Sequence, residues 1–457
     1  MTNLDDTIAA ISTPVGEGGI AVVRMSGNDS LTIADRCFKP AKGNILPSQA
    51  KSHTLHYGYI VREGEIVDEV MLAVLRKPHT YTREDMVEIS CHGGILPAKL
   101  VLETLISCGA RLAQPGEFTK RAFLSGRIDL TQAEAVIDVI HSRTELALKI
   151  AQEQLAGKLA EKMEELRVGL MDILAQIEAH IDFPEEDIEP DTVEKIVDKI
   201  SAAINFIGKL LERAEEGYIL RQGIKTAIIG KPNTGKSSLL NRLLGRDRAI
   251  VSPIPGTTRD TIEETANIRG IPIVFTDTAG LRQSSDIIEA EGINRTKKTI
   301  EIAELLLLVM DANQPMDEFD KENLELIKGK KAIIVKNKCD LQINLVLPDE
   351  IGCPIVNVSC VTGEGIERLK DTIYDVVFKG KHIIDTSGAI INLRHKEALI
   401  RAQEALKHTR ESLNKGESLE FSAVDLRIAI NAIGEITGKT ATEDLLDIIF
   451  SQFCIGK

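Results

Sequence analysis

The chain has no apolar run approaching the ~20 residues that a membrane-crossing helix needs; Leu305-Leu-Leu-Leu-Val-Met310 is only of buried-strand length. Its N-terminus lacks a basic segment followed by an apolar one, so no signal peptide is expected and the location read from the sequence is cytoplasmic. None of the seven cysteines forms a Cys-x-x-Cys pair. That scattered, odd-numbered set excludes a disulfide framework, argues against structural zinc, and reads as reduced thiols. Positive charge is also short: 55 Lys and Arg against 69 Asp and Glu give a net charge of −14. A surface of that sign excludes broad coating of nucleic acid but leaves room for RNA on a local patch, or for a basic partner.

What is present is enough apolar material, 43% of 457 residues, for the cores of two or three domains. Residues 1 to about 120 mix strand-like runs (Ile20 to Val23, Val70 to Leu75, Met86 to Ile89) with Gly-rich turns and a helical stretch from Pro97 to Ser107, an α+β pattern. From about 121 to 217 the pattern is helical. Thr131-Gln-Ala-Glu134 reads as a capping box, Asp182 to Asp187 interrupts the run, and Asp191 opens a helix with Val193, Ile196, Val197, Ile200, Ile204 and Ile207 on one face. Residues 218–380 alternate strand and helix, as a doubly wound α/β domain does. Helical periodicity returns in 381–457, with Ala398, Leu399, Ala402 and Leu406 on one face and Leu445, Leu446 and Ile449 on another. The expected fold is therefore multidomain α/β: an N-terminal α+β domain, then a discontinuous helical domain (121–217 plus 381–457) into which the α/β domain is inserted.

Gly230-Lys-Pro-Asn-Thr-Gly-Lys-Ser237 follows the apolar run Thr226 to Ile229 and precedes the helical pattern Ser238 to Leu244. Strand, Gly-rich loop and helix in that order mark a phosphate-binding P-loop, whose backbone N–H groups cradle a phosphate. Asn233, Thr234, Gly235, Lys236, Ser237 and Ser238 are the expected nucleotide contacts, with Lys236 on the β/γ-phosphates and Ser237 on Mg²⁺. The P-loop alone does not choose between ATP and GTP. Asn337-Lys338-Cys-Asp340, after the strand Ala332 to Val335, does: an aspartate accepts both the N1–H and the 2-amino hydrogens of guanine, which adenine cannot supply. Asp277-Thr278-Ala279-Gly280 ends the strand Ile273 to Phe275 and supplies a Mg²⁺-side aspartate and a γ-phosphate glycine. Ser252, Pro253, Ile254, Pro255, Gly256, Thr257 and Thr258 form the intervening switch, with Thr258 as the Mg²⁺ contact, and Ser359-Cys360 fits the last guanine loop. Together these boxes resemble the translation-factor class of GTPases. In the small signalling GTPases a glutamine follows the Asp-x-x-Gly box and orients water. Here Leu281 stands in that place, which leaves Asp286, Glu289 and Glu291 as acidic candidates.

The ending Phe453-Cys454-Ile-Gly-Lys457 is not a prenylation signal, since Gly456 is not aliphatic and no polybasic stretch precedes it. A frayed tail is the alternative, but the apolar periodicity of Asp444 to Phe453 leads into it from a packed helix. This ending resembles that of the MnmE (TrmE) tRNA-modification GTPases. So do Thr13-Pro-Val-Gly-Glu-Gly-Gly-Ile-Ala-Val-Val-Arg-Met-Ser-Gly27, Tyr81-Thr-Arg-Glu-Asp85, Cys91-His-Gly-Gly94, Pro115-Gly-Glu-Phe118 and Arg121-Ala-Phe-Leu124. The resemblance spans the chain.

It implies an N-terminal domain (1–120) that binds a tetrahydrofolate such as 5,10-methylenetetrahydrofolate and dimerises, the helical domain, and the inserted GTPase domain (218–380). It implies a K⁺-activated, dimerisation-dependent GTPase that works in a heterotetramer with the FAD-dependent partner MnmG (GidA). That complex installs aminomethyl or carboxymethylaminomethyl groups on C5 of the wobble uridine in tRNA. By motif, Arg24, Glu88, Arg127 and Lys457 match the folate contacts, Cys454 a cysteine required in modification, Glu289 the catalytic glutamate and Arg282 a further switch residue. Asn233, Ser252, Ile254 and Thr257 match the K⁺ ligands, an all-oxygen set suited to a hard cation. Two other readings compete less well. A ribosome-assembly GTPase would want an RNA-binding module, and a membrane-trafficking GTPase an anchor.

Overall fold

The computed structural model describes residues 6–182, 190–245, 264–276, 300–348, 351–378 and 390–457, with the backbone alone for 190–192. Residues 8–112 build a seven-stranded sheet from β1 (Ile8–Ile11), β2 (Ile20–Ser26), β3 (Phe38–Pro40), β4 (Thr54–Arg62), β5 (Glu65–Leu75), β6 (Met86–His92) and β7 (Arg111–Leu112), in the order β3-β4-β5-β6-β2-β1-β7. All pairings are antiparallel except β1 with β7. Period-two alternation sends Ala21, Val23 and Met25 of β2 to the face covered by the helices Ser30–Cys37 and Ile95–Ser107. Val22, Arg24 and Ser26 face the other way, where Ile8, Ala10, Met86, Ala113 and Phe118 form a smaller core.

The α+β reading therefore holds, and so does the helical one. Helices Glu117–Leu124, Leu130–His141, Glu145–Leu155, Lys158–Asp182, Pro190–Glu212 and Ala214–Gln222 follow in succession. The capping box lies two residues earlier than the sequence suggested. Asp129 is the N-cap and accepts from the Thr131 and Gln132 amides, while Gln132 accepts from the Asp129 amide. Glu134 was the wrong partner because it is used in the interior. Its carboxylate takes Arg394 at 2.8 Å and His395 at 2.7 Å.

Arg394 and His395 begin the helix Leu393–Lys415, which with Leu419–Thr437 packs on Lys158–Asp182 and Pro190–Glu212. Leu170, Ile173, Ile200, Ile207, Leu399, Leu406, Leu426 and Ile433 are among the residues of that shared four-helix core. Ile196, Ile200, Ile204 and Ile207 are all buried, as their stripe predicted. The helix Glu443–Ser451 leaves this bundle and packs Leu446, Ile449 and Phe450 on Ala122, Leu130 and Ala133. Among the described residues no helix is long and apolar enough to cross a membrane.

Between the two helical stretches lies a six-stranded sheet: β8 (Ile224–Ile229), β9 (Glu264–Ile268), β10 (Ile271–Phe275), β11 (Leu305–Asp311), β12 (Ala332–Asn337) and β13 (Ile355–Asn357), in the order β13-β12-β11-β8-β10-β9. All neighbours are parallel except the β9–β10 hairpin. Such strands are buried on both faces, which is why Leu305 to Met310 reads as a continuous apolar run; all six are at most 1% exposed.

Burial of Glu134 would raise its carboxyl pKa, but the His395 and Arg394 charges outweigh that and hold it far below the ordinary glutamate value. The stability this supplies is full above the unfolded-state pKa near 4.5 and is lost as pH falls below it. Glu134→Ala leaves the Arg394 guanidinium without its carboxylate beside the buried His395 and should cost about 3 kcal/mol. Urea midpoints measured at neutral and acid pH should show a lowered value for the variant and a shallower decline on acidification.

Candidate functional site

β8 lies between β10 and β11, so successive connections leave it to opposite sides. The crevice at the carboxyl end of such a strand is where doubly wound sheets bind ligands. The loop 230–235 occupies it and runs into the helix Lys236–Leu244. Gly235, the N-cap, has φ +94, and a Cβ there would lie 2.1 Å from Asn337 Nδ2. Glycine thus meets both a left-handed backbone and a close approach from β12. Asn233 also has a positive φ, +61, without being glycine, and is exposed. Lys236 folds its half-buried side chain over the loop, donating to the carbonyls of Gly230 at 2.8 Å and Lys231 at 2.5 Å, and burial lowers its pKa. Ser237 and Ser238 are exposed on the first turn of the helix.

The guanine box is assembled by one buried side chain. Asn337 donates from Nδ2 to the carbonyl of Thr234 in the P-loop, 2.8 Å, and accepts at Oδ1 from the Cys360 amide, 3.2 Å. One amide therefore ties the phosphate loop to the Ser359-Cys360 loop, a role that the box pattern did not disclose. Lys338, at φ +66, pairs with Asp311 at 2.5 Å. Asp340 stands exposed just beyond β12 and carries an acceptor pair suited to guanine. Ser359 is fully buried and its Oγ accepts from the Thr362 amide. Arg242 donates to the carbonyls of Cys360 and Val361, closing the same loop on the P-loop helix. Burial raises the thiol pKa of both Cys339 and Cys360. Ser252, Pro253, Ile254, Pro255, Gly256, Thr257, Thr258, Asp277, Thr278, Ala279, Gly280, Arg282 and Glu289 lie outside the described residues.

A second constellation lies on the N-terminal sheet. Arg24 and Glu88 are directly opposed on β2 and β6. The guanidinium meets the carboxylate at 2.8 Å and lies 5.6 Å from the ring centre of Tyr81 and 5.8 Å from that of Phe118. Arg127 stacks on the same tyrosine at 4.8 Å. Arg24, Glu88 and Arg127, far apart in the chain, are thus gathered around one aromatic ring. Tyr81 and Phe118 belong to the segments Tyr81 to Asp85 and Pro115 to Phe118, but only the packing gives them this place.

Buried Arg121 holds the arrangement together, pairing with Asp6 at 2.5 Å, Glu84 at 3.1 Å and Glu117 at 3.2 Å. Burial alone would raise the Glu117 carboxyl, but hydrogen bonds from Arg111 and the Gln114 amide outweigh it and lower its pKa.

The C-terminal tail reaches this domain and is not frayed. Gly456 accepts from Ser12 Oγ at 3.2 Å, and a Cβ on it would sit 2.4 Å from the Ile11 carbonyl. Cys454 accepts from the Gly116 amide through its carbonyl and is itself exposed. Lys457 follows at the end of β1, the neighbour of the strand that bears Arg24. Among the described residues no group of three or more His, Cys, Asp or Glu is placed to hold a metal ion.

A phosphate loop at the switch point of a parallel sheet, clamped by an Asn-Lys-x-Asp box, defines a P-loop GTPase. Residues 130–454 match the MnmE helical domain, and residues 7–127 match the GTP-binding protein TrmE N-terminus. The tRNA modification GTPase MnmE of Thermoanaerobacter pseudethanolicus (strain ATCC 33223 / 39E) is 48% identical over 461 residues, 99% of each chain. That of Geobacter sulfurreducens is 47% identical over 458 residues, 99% of this chain and 100% of the relative. The chain belongs to the MnmE (TrmE) family of tRNA-modification GTPases and is a GTP hydrolase. Among solved structures, the G domain of the T. maritima FeoB iron transporter is 32% identical, covers 34% of this chain and 98% of its own, and has a TM-score of 0.26.

Gly235→Ala tests the cradle directly. The methyl group strikes Asn337 and the left-handed backbone is strained, so GDP affinity should fall by about 100-fold or more in a fluorescent-nucleotide titration.

Proposed function

We propose that the chain is a K⁺-activated GTPase whose hydrolysis depends on dimerisation and drives uridine modification in tRNA. The observation that carries the nucleotide part is the exposed Asn233 beside a lysine-filled phosphate loop, clamped by Asn337. GTP is the substrate. The P-loop amides and Lys236 bind its phosphates, and Asp340 pairs with guanine. Ser237 and Thr258 would hold Mg²⁺. Asn233, Ser252, Ile254 and Thr257 would hold K⁺. A monovalent cation against the phosphates supplies charge stabilisation of the kind an arginine finger gives, worth roughly 10³–10⁵ in rate. Because Leu281 cannot orient water, Glu289 takes the positioning role, with Arg282 as a further switch residue. Hydrolysis would require two GTPase domains to meet across a homodimer.

The N-terminal constellation fits a tetrahydrofolate, for example 5,10-methylenetetrahydrofolate. Glu88 is an acceptor for the pterin's amino and ring N–H groups, Tyr81 and Phe118 offer flat apolar surface, and Arg24, Arg127 and Lys457 offer cations to its carbonyl or glutamyl oxygens. The folate supplies the one-carbon unit when bound. Cys454, exposed and anchored at its carbonyl beside this cluster, serves the uridine chemistry. In this reading residues 1–120 are the folate-binding and dimerisation domain, 121–217 plus 381–457 the helical domain and 218–380 the GTPase domain. The partner is an FAD-dependent MnmG (GidA) flavoprotein in a heterotetramer, the other macromolecule is tRNA, and the setting is the cytoplasm.

GTP turnover in KCl against NaCl tests the cation. The wild-type chain should be at least about tenfold faster in KCl, and Asn233→Ala should lose that preference. Equal wild-type rates in both salts would remove K⁺ from the mechanism while leaving the GTPase assignment standing.

The two halves of the N-terminal site separate by variant. Glu88→Gln should abolish tetrahydrofolate binding measured by calorimetry, whereas Cys454→Ser should keep it. Both should lose uridine modification in a reconstituted assay and retain GTP hydrolysis. Loss of hydrolysis in Cys454→Ser would point to a structural role for the thiol.

A further inference from the structure

The P-loop is held at its outer turn by a contact that no nucleotide box contains. Lys231, the second residue of the loop, reaches away from the phosphate cradle. Its Nζ meets Asp317 Oδ2 at 2.6 Å and Asp320 Oδ2 at 2.5 Å. These two aspartates are the reciprocal capping box of the helix Glu318–Leu326: Asp317 accepts from the Asp320 amide, and Asp320 accepts from the Asp317 amide. Asp320 is buried, so one of the two charges facing Lys231 is fixed in place. Burial works against the Lys231 ammonium, but the hydrogen bonds to Asp317 and Asp320 outweigh it and raise its pKa. The lysine therefore bridges the loop after β8 to the helix that follows β11.

The carbonyl of the same residue is also occupied. It accepts from Lys236 Nζ and, at 2.9 Å, from Thr234 Oγ1. Thr234 is pinned in turn by Asn337. The loop is thus fastened at 231 and at 234, and the two residues between, Pro232 and Asn233, are exposed. Asn233 sits at φ +61, in the left-handed region that asparagine enters more readily than most other non-glycine residues. The Asn337 fastening belongs to the guanine box. The Lys231 fastening does not, and it acts on the N-terminal side of the Pro232-Asn233 turn.

We propose that Lys231 is a positioning residue for Asn233: its tether to Asp317 and Asp320 sets the backbone of the Pro232-Asn233 turn and with it the cation affinity of the site. This rests on the K⁺ reading above and deepens it. It places the determinant of cation affinity partly outside the ligands, in a helix cap on the opposite side of the loop. Loosening the tether should weaken cation binding while leaving the phosphate cradle, which Gly235, Lys236 and Asn337 hold through contacts that do not use the Lys231 side chain.

The experiment is a KCl titration of GTP turnover by the full chain at fixed Mg²⁺, paired with fluorescent GDP binding. Lys231→Met should raise the K⁺ concentration for half-maximal turnover by roughly tenfold, with kcat at saturating K⁺ approaching that of wild type. GDP affinity should stay within about threefold. Lys231→Arg, which keeps a cation within reach of both carboxylates, should restore the wild-type curve. Asp317→Asn keeps an N-cap of equal quality and removes one charge, so it should give an intermediate shift in a protein whose helix remains capped.

An unshifted K⁺ curve in Lys231→Met, with a K⁺-dependent wild type, would overturn the tether alone. So would a parallel loss of GDP affinity and turnover that Lys231→Arg does not rescue, since that describes general collapse of the loop. A wild-type rate indifferent to K⁺ would overturn the cation reading and the tether with it.

Discussion

The pairing of Glu134 with Arg394 and His395 is the contact on which the chain's organisation depends. Glu134 stands in the helix Leu130–His141, before the α/β unit begins, and Arg394 stands 260 residues later, just after the chain leaves it. The same corner holds Arg221, whose guanidinium reaches Asp138, Gln154 and the carbonyl of Ile390, at the last turn before β8 and the first described residue after the insertion. Entry and exit of the inserted unit are therefore locked to each other by buried charge. Removing charges from water is costly, so such a knot forms only when every partner arrives together; it ties the helical bundle's closure to the correct return of the chain.

The same helical layer touches both candidate sites. On one side Arg143 donates to Thr265 at 2.7 Å, and Gly270 lies against Leu146, so the β9–β10 hairpin rests on the start of the helix Glu145–Leu155. That hairpin joins the two segments in which the sequence places the nucleotide switches. On the other side the helix Leu130–His141 shares a core with Leu446, Ile449, Phe450 and Phe453, immediately before Cys454. One helix pair is thus packed against the switch hairpin and against the element that delivers the C-terminal tail to the N-terminal sheet. This is a contiguous set of contacts between the GTPase site and the N-terminal constellation around Tyr81, and it gives the insertion a physical rationale.

Within the nucleotide site, the division of labour is clear. Glycine and lysine form the cradle, as phosphate chemistry demands. The two asparagines are placed differently: Asn337, buried, spends both ends of its amide on backbone, while Asn233 is exposed at the turn of the loop.

The local chemistry of this chain was legible in its residues. The P-loop, the guanine box, the apolar strand at Leu305 and the isoleucine stripe from Ile196 to Ile207 are patterns of neighbouring residues, and each lies where its spacing implies. Local patterning misled at Glu134, because a capping box at Thr131 and one at Asp129 look alike until it is known that Glu134 has a buried guanidinium to face. The gathering of Arg24, Glu88, Tyr81, Phe118 and Arg127 was not legible from spacing, nor was the grip of Asp317 and Asp320 on Lys231, nor the docking of Gly456 on Ile11 and Ser12. Sequence by itself determined which chemistry each segment carries, since that depends on side-chain type and short-range geometry. Tertiary structure decided which segments act together, because burial and the pairing of charges distant in the chain are properties only of the packed molecule.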